Sequence, residues 1–260
     1  MDLKSKKASR GIGEAMTKRH ILITGGSRGI GASAVRLFAA EGDFVSFIYK
    51  ENHMAAKALL HSLEEKGYKA EAVCADVTDV SSLREVVSRQ RNRIGEIDVL
   101  IHNAGISSQK MISDVSEDEF RKIMDTHMTS LFFLSQMVLP NMIREKKGNI
   151  LAVSSIWGMT GASCEVVYSS AKAAVIGFVK ALAKEVGPSG IRVNCVAPGV
   201  IDTDMLMDFS AEDKKVLMEE TPLQRLGTPE EVAELLFFLA SEKASFITGQ
   251  VISPNGGFLI

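Results

Sequence analysis

The stretch Ile21-Leu22-Ile23-Thr24-Gly25-Gly26-Ser27-Arg28-Gly29-Ile30-Gly31 decides the fold of this chain. Its apolar start predicts a buried strand over residues 21–24, and a helix is predicted to begin near Ile30. Glycines between a strand and a helix let the backbone approach a pyrophosphate, which the free N–H groups and the helix dipole stabilise. A plain strand-to-helix turn also fits the glycines, but the preceding strand favours phosphate binding.

Beyond this turn, short apolar runs alternate with longer helical patterns, which is typical of βαβ units. We predict seven parallel strands, over residues 21–24, 44–48, 70–74, 99–101, 149–154, 192–196 and 250–253. Because the strands are continuously apolar, helices are expected on both faces of the sheet. Capping boxes predict later helix starts at Ser116 with Glu119 and at Thr228 with Glu231. The chain is therefore predicted to form one α/β domain over residues 20–260, a doubly wound sheet of Rossmann type.

Composition and charge exclude several classes of protein. The chain is 46% hydrophobic and 24% charged, which excludes disordered and low-complexity classes. Its net charge of −2 gives no basic field for nucleic acid. No apolar run approaches the roughly 20 residues that cross a bilayer. We therefore expect a cytoplasmic protein with no nucleic-acid or membrane partner. The three cysteines and five histidines show no metal-ligand spacing, so we expect free thiols and no metal site.

The N-terminal residues 1–19 are basic and contain no strand-like run, so we expect an arm outside the domain. Residues 9–13 repeat the sequence of residues 27–31, but no strand precedes the first copy, so we expect it to bind nothing. We hypothesise that Met16 is the natural start. A second polar segment, residues 203–225, is expected to form a mobile lid.

Several segments, taken in chain order, resemble the short-chain dehydrogenase/reductase family. They are the turn spaced Thr-Gly-x-x-x-Gly-x-Gly at residues 24–31, Cys74-Ala75-Asp76-Val77, Asn103-Ala104-Gly105, Tyr-x-x-x-Lys at residues 168–172, and Pro198-Gly199-Val200-Ile201-Asp202-Thr203. The resemblance implies a dinucleotide site at the carboxyl ends of the strands. The residues implied in cofactor binding are Gly25, Ser27, Arg28, Gly29, Ile30, Gly31, Tyr49, Lys50, Asp76, Val77, Asn103, Ala104, Gly105, Tyr168, Lys172, Pro198, Gly199, Ile201 and Thr203.

Charge favours NADPH over NADH. An acidic residue closing the second strand would bind the ribose 2′-hydroxyl and repel a 2′-phosphate, but Tyr49-Lys50 stand there. Lys50 could also be a merely solvated charge. The resemblance implies that Arg28, inside the glycine turn, faces the adenosine phosphate.

Tyr168 and Lys172 are four residues apart in a predicted helix over residues 166–186, so they share one face. Such a pair is common on surface helices, and the resemblance, with Ser155 upstream, is what gives it a catalytic role. A phenol has a pKa near 10, and we expect Lys172 to favour its anion. The resemblance implies hydride transfer to a carbonyl carbon while Tyr168 donates a proton and Ser155 hydrogen-bonds the oxygen. Ser154 is expected to be structural.

His127 departs from the family pattern, which usually places an Asn here to hold a water that relays protons to the lysine. One interpretation is a neutral histidine that makes the same hydrogen bond or fills the space. The other is a group titrating near pH 6.5 on the proton relay, which would make activity more sensitive to pH. His127 is therefore a fourth candidate catalytic residue.

Overall the chain resembles 3-oxoacyl-acyl-carrier-protein reductases. His127, Ser154-Ser155-Ile156-Trp157-Gly158 and the segment leading to Glu165 resemble the elongation factor P 5-aminopentanone reductases, which reduce a ketone on a modified lysine. Glu165 and Asp202 would attract its amino group and Trp157 would stack on its spacer. Alternatively, Glu165 caps a helix and Trp157 packs at a subunit boundary.

Other partners follow from the same resemblance. An acyl-carrier substrate would need basic residues near the pocket, for which Arg144, Lys146 and Lys147 are candidates. A cofactor-sensing protein with little catalysis is a third class, which the intact Ser155, Tyr168 and Lys172 disfavour. The long predicted helices 117–144 and 166–186 are apolar enough to predict a homodimer or homotetramer.

Overall fold

A computed structural model describes residues 19–207 and 209–260, so the arm sequence before Arg19 and the proposed start at Met16 lie outside the described residues. The strands are β1 (His20–Thr24), β2 (Phe44–Tyr49), β3 (Ala70–Cys74), β4 (Val99–His102), β5 (Gly148–Val153), β6 (Ile191–Val196) and β7 (Val251–Ile252). The α-helices are α1 (Gly29–Ala40), α2 (His53–Glu64), α3 (Val80–Arg93), α4 (Glu117–Met124), α5 (Ser130–Glu145), α6 (Trp157–Thr160), α7 (Val166–Val186), α8 (Ala211–Glu220) and α9 (Pro229–Ala240).

The seven strands form one parallel sheet in the order β3-β2-β1-β4-β5-β6-β7. The predicted seven-stranded, doubly wound α/β fold is therefore confirmed, with strand ends that differ from the prediction by at most one residue. The order reverses between β1 and β4, and ligands of such sheets bind at this point, beyond the carboxyl ends of the strands.

Two apolar layers cover the sheet. Ile21 and Ile23 point into a core formed with α1, α2 and α9, whereas Leu22 points into a core formed with α3, α5 and α7. Successive side chains of a strand point to opposite faces, so a strand buried on both sides must be apolar at every position. Arg19 also belongs to the fold, because its guanidinium contacts Asp43 and the carbonyl of Ala240.

The helix predicted over residues 117–144 is interrupted. Helix α4 leads into a π-helical turn, Asp125–Thr129, and α5 follows it directly. Both predicted capping boxes are present, at Ser116 and at Thr228. The segment predicted as a lid contains helix α8, which begins with a further capping box between Ser210 and Asp213.

One helical stretch, Val166–Ser189, is long and apolar enough to cross a membrane by length and composition, and an 18-residue window within it has a mean hydropathy of 1.4. The expectation that no apolar run reaches this length was therefore wrong. Half of that window is buried inside the fold, as in the core helix of a globular domain, so the stretch is weak support for a membrane span.

Candidate active site

The glycine turn between β1 and α1 has the shape of a phosphate cradle. Gly25 and Gly29 have φ of +67° and +52°, a region that side chains rarely adopt. A Cβ on Gly31 would lie 2.1 Å from the Gly25 carbonyl oxygen, so α1 can approach the turn only with glycine there. The first turn of α1 has no acidic residue, and the side chain at its N-cap, Arg28, makes no capping hydrogen bond.

Asn103 and Ala104 brace this turn from β4. The Asn103 side chain donates to the carbonyls of Thr24 and Gly25, at 3.1 and 3.2 Å. The backbone N–H groups of Asn103 and Ala104 both donate to the Thr24 hydroxyl at 3.0 Å. Sequence reasoning missed Thr24 as a functional residue, although a hydroxyl at the end of a buried strand was the available signal.

Both cations expected at the adenosine phosphate contact carboxylates. Arg28 lies 3.5 Å from Asp204 in an exposed pair. Lys50 lies 2.8 Å from Asp76, whose other oxygen accepts from the backbone N–H and the hydroxyl of Thr78. The hydrogen bond to Asp76 raises the pKa of Lys50. Burial acts to raise the pKa of Asp76, but the bonds from Lys50 and Thr78 outweigh it and lower that pKa.

The segment that begins at Pro198 reaches both the catalytic strand and the glycine turn. The Pro198 carbonyl accepts from the N–H of Ile156, at 3.0 Å, and the Gly199 N–H donates to the carbonyl of Pro254. A Cβ built on Gly29 would lie 3.4 Å from the Thr203 methyl. Ile201 is buried and pairs with Gly227 in an isolated bridge.

The other residues predicted to bind cofactor surround the same region. Ser27 and Ile30 are partly buried in the turn, and Val77 is buried after β3. The Tyr49 hydroxyl lies 3.1 Å from Nδ1 of His53 at the start of α2. Its side chain is thus engaged by a neighbouring helix rather than by the turn.

Ser155, Tyr168 and Lys172 come together beyond the end of β5. Lys172 is 4% exposed, and its Nζ donates to the carbonyl of Val153 at 2.8 Å. The same Nζ lies 5.5 Å from the centroid of the Tyr168 ring. Ser155 is buried, and its Oγ accepts from the N–H of Trp157 at 3.2 Å. Ser154 instead donates to the carbonyl of Lys172, so the structural role expected of it agrees with its geometry.

Burial sets the protonation states of Tyr168 and Lys172. It raises the pKa of Tyr168 to about 12, with the charge of Glu165 adding to the rise and the Ser155 side chain opposing it. Burial also lowers the pKa of Lys172 to about 8. We expected Lys172 to favour the phenolate, but burial dominates and raises the pKa of Tyr168 instead. At neutral pH, Tyr168 keeps its proton and Lys172 is largely charged.

His127 lies in the π-helical turn and is 1% exposed. Its Nε2 lies 2.8 Å from the Ile106 carbonyl oxygen and 3.2 Å from the Ile106 amide nitrogen. Its ring meets that of Tyr168 edge to face, with centroids 5.5 Å apart. Burial, with the Lys172 charge adding, holds the pKa of His127 well below its usual value. The interpretation as a group titrating near pH 6.5 is therefore wrong, and the neutral histidine is the one that fits.

The two side chains expected to contact the substrate, Glu165 and Trp157, each have a partner within the chain. The partly buried carboxylate of Glu165 accepts from the Gln109 side chain at 3.3 Å, and burial raises its pKa. Glu165 occupies the N-cap position of α7, but its side chain makes no capping hydrogen bond. The alternative that the Glu165 side chain caps this helix is therefore wrong. Trp157 packs edge to face on Phe258 at 5.7 Å within the chain.

The described residues fit a dinucleotide better than a metal. They contain no group of three His, Cys, Asp or Glu side chains that could hold a metal ion. The glycine turn offers uncapped N–H groups at a helix start and a surface that a Cβ would fill. The cysteines at 74, 164 and 195 are free.

Comparisons with known proteins agree on one family. A family model described as enoyl-(acyl carrier protein) reductase matches residues 25–259. The uncharacterized oxidoreductase YmfI of Bacillus subtilis is 45% identical over 238 residues, which cover 91% of this chain and 97% of that protein. The 3-oxoacyl-(acyl-carrier-protein) reductase FabG of Chlamydia muridarum is 41% identical over 243 residues, covering 93% and 98%.

A similar solved structure is that of a blue fluorescent protein from a metagenomic library in complex with NADPH. It has a TM-score of 0.87 and 32% sequence identity, and the match covers 93% of this chain and 98% of that one. Fold, glycine turn and relatives agree, and the chain belongs to the short-chain dehydrogenase/reductase family of oxidoreductases.

Proposed function

We propose that this protein reduces a ketone with NADPH. The observation that carries the proposal is the convergence of Ser155, Tyr168 and Lys172 beyond β5. A continuous path of contacts joins them to the glycine turn, because the segment from Asn103 to Ile106 touches the turn at one end and His127 at the other.

The cofactor would lie on the glycine turn, with Arg28 and Lys50 near its adenosine phosphate and Pro198–Thr203 beside its nicotinamide. When bound, NADPH supplies the hydride. Tyr168 holds a proton that it donates to the developing alkoxide, and Ser155 orients that oxygen. The charged Lys172 stabilises the phenolate left after the proton transfer, and it would also hold the nicotinamide ribose. His127 is a neutral neighbour of the phenol, and we assign it a role in packing and orientation.

Tyr168→Phe tests the proposal. Removing the hydroxyl is expected to lower kcat for ketone reduction by at least about 100-fold, while the dissociation constant for NADPH stays unchanged. Tyr68→Phe is the matched control, because Tyr68 packs on the opposite core and loses the same atom. Turnover that survives Tyr168→Phe would contradict the proposal, as would a wild-type enzyme inactive on every ketone. The latter result would favour the third class, a cofactor-sensing protein.

For the substrate, we propose the 5-aminopentanone group on a modified lysine of elongation factor P. The support is electrostatic: Glu165 is a partly buried carboxylate close enough to Tyr168 to raise its pKa. Its one hydrogen bond within the described residues is a 3.3 Å contact from Gln109, so an ammonium group would gain a strong partner there. Asp202 is exposed at the end of the neighbouring segment. Trp157, edge-on to Phe258, would contact the aliphatic spacer.

A 3-oxoacyl group on an acyl-carrier protein is the second candidate. It is favoured by the relatives that are 3-oxoacyl-(acyl-carrier-protein) reductases, including those of Chlamydia muridarum and Thermotoga maritima. The cations proposed to meet an acidic carrier are poorly located for it. Arg144 lies beside Glu96, which precedes β4. It is therefore at the amino ends of the strands, whereas the catalytic residues lie beyond the carboxyl end of β5.

The two candidates are separated by offering the enzyme and NADPH ketone-bearing elongation factor P and an acetoacetyl carrier mimic. Glu165→Gln is expected to lower kcat/KM about tenfold for the amino-ketone, because charge-assisted contacts contribute more than neutral ones. The same variant should leave reduction of the acetoacetyl mimic unchanged. Preference of the wild type for the acetoacetyl mimic would refute the first candidate and support the second.

We also propose a cytoplasmic homodimer or homotetramer. Large apolar side chains are exposed on helices α4, α5 and α7: Phe120, Phe132, Ile143 and Val166. Exposed apolar patches of this kind mark association surfaces. Sedimentation that detects only monomer would contradict the assembly.

A further inference from the structure

A buried hydrogen-bond path joins the end of β4 to the π-helical turn. Nε2 of His102 lies 2.7 Å from Oγ of Ser130, and the Ser130 hydroxyl donates to the carbonyl of Thr126 at 2.6 Å. All three residues are buried. The single hydroxyl proton of Ser130 is directed at the carbonyl, so its oxygen accepts from the N–H of His102. The proton and hydride chemistry assigned above uses neither His102 nor Ser130.

The path ends at the carbonyl where this helix departs from α-helical geometry. In an α-helix, the backbone N–H of Ser130 would donate to the carbonyl four residues earlier, that of Thr126. Here it donates to the carbonyl of Asp125, five residues earlier. The Ser130 hydroxyl thus supplies a donor to the carbonyl from which the backbone N–H has been diverted.

The same turn carries His127, which contacts both Ile106 and Tyr168. Restoring α geometry would remove the extra residue and rotate one side of the helix by about 100° relative to the other. His127 could not then keep both contacts. Irregular turns of this type persist where the surroundings compensate them, and they occur often at functional sites.

The ring of His102 keeps the same protonation state, and therefore the same N–H donor, across the physiological pH range. Burial, together with the charge of Lys172, lowers the pKa of His102 to about 3. The ring is therefore neutral, and the hydrogen bond to Ser130 fixes the proton on Nε2. Support for the turn should not vary between pH 6 and 8.

We propose that His102 and Ser130 are positioning residues: they stabilise the π-helical turn and, through it, hold His127 against the catalytic tyrosine. The inference rests on the proposed function, since its readout is ketone reduction. It assigns neither residue a contact with substrate or cofactor.

Ser130→Ala tests the path, with Ser135→Ala as the matched control. Ser135 is a buried serine on the same helix, and its hydroxyl has no hydrogen-bond partner among the described residues. Ser130→Ala is expected to lower kcat at least about tenfold with the NADPH dissociation constant unchanged, because small displacements of a catalytic group are costly. Ser135→Ala should behave as wild type. Equal activity of the two variants would overturn the proposal.

A second pair keeps the test decisive if Ser130→Ala does not fold. His102→Gln retains an N–H donor of similar reach and is expected to keep kcat within about threefold of wild type, whereas His102→Leu fills similar space without a donor and should lose at least about tenfold. Equal turnover of these two variants would overturn the proposal. Absence of ketone reduction by the wild type would instead refute the proposed function.

Discussion

Gly105→Ala offers a direct test of how closely the catalytic tyrosine depends on its histidine neighbour. A Cβ built on Gly105 would lie 2.6 Å from Cε1 of His127, whereas ordinary van der Waals contact begins at 3.4 Å. The ring would have to retreat by about 0.8 Å. Gly105 does not have a positive φ, so the backbone tolerates alanine, and within the protein the close contact falls on His127.

The displaced ring is buried, and its neighbours are the Ile106 backbone and the Tyr168 ring, so the shift is transmitted to the proton donor. Misplacement by about 1 Å can cost about 100-fold in rate, and we expect Gly105→Ala to lower kcat by between about 10- and 100-fold. NADPH oxidation with a saturating ketone measures kcat. Fluorescence of bound NADPH measures cofactor affinity separately, because Gly105 is also among the residues implied in cofactor binding.

Two further variants complete the design. Gly177→Ala is the matched control, because it lies on the catalytic helix α7 with open space around its position. It should retain full activity and gain about 0.5–1 kcal/mol of stability. In the double variant Gly105→Ala/His127→Asn, the smaller side chain leaves room for the methyl group, so activity should partly return. Wild-type turnover by Gly105→Ala would refute the coupling of His127 to Tyr168.

Three other outcomes are expected. Arg28→Ala should raise the KM for NADPH much more than that for NADH, in steady-state assays with each cofactor, and equal effects would count against a 2′-phosphate at this residue. Burial lowers the pKa of Lys172 to about 8 and raises that of Tyr168 to about 12. The kcat for reduction should therefore be level from pH 6 to 7 and fall as pH rises through about 8. An inflection near pH 6.5 would contradict a neutral His127. Phe258→Ala should weaken ketone binding through the loss of its edge contact with Trp157, seen as a rise in KM of about two- to tenfold, whereas Leu in place of Phe258 should restore most of it.

The sheet could be predicted from the sequence because its signals are local. Strands buried on both faces are continuously apolar, and the runs at residues 21–24, 70–74 and 192–196 match β1, β3 and β6 closely. The candidate catalytic and cofactor residues came from the family resemblance of short motifs, which can be recognised because each motif is local in the sequence. Helix α8 was missed because its apolar pattern is weak, although its Ser210–Asp213 capping box was present in the sequence.

The π-helical turn and the protonation states of Tyr168 and Lys172 could not be predicted from the sequence. An N–H that donates five residues back instead of four leaves no mark in hydropathy, and its compensation by Ser130 and His102 depends on a strand that is remote in sequence. Likewise, the pKa values of Tyr168 and Lys172 are governed by burial, which exists only after the layers have packed. Thr24 was overlooked for the same reason, since its partners arrive from β4.

The ion pairs Arg28–Asp204 and Lys50–Asp76 have a consequence for cofactor choice. A phosphate that engages either cation must exchange with a carboxylate already there, so the net gain is the difference between two ion pairs. Discrimination between phosphorylated and unphosphorylated dinucleotides should then be smaller than two unpaired cations would give. It should also depend weakly on ionic strength, because added salt screens the incoming and the outgoing anion alike.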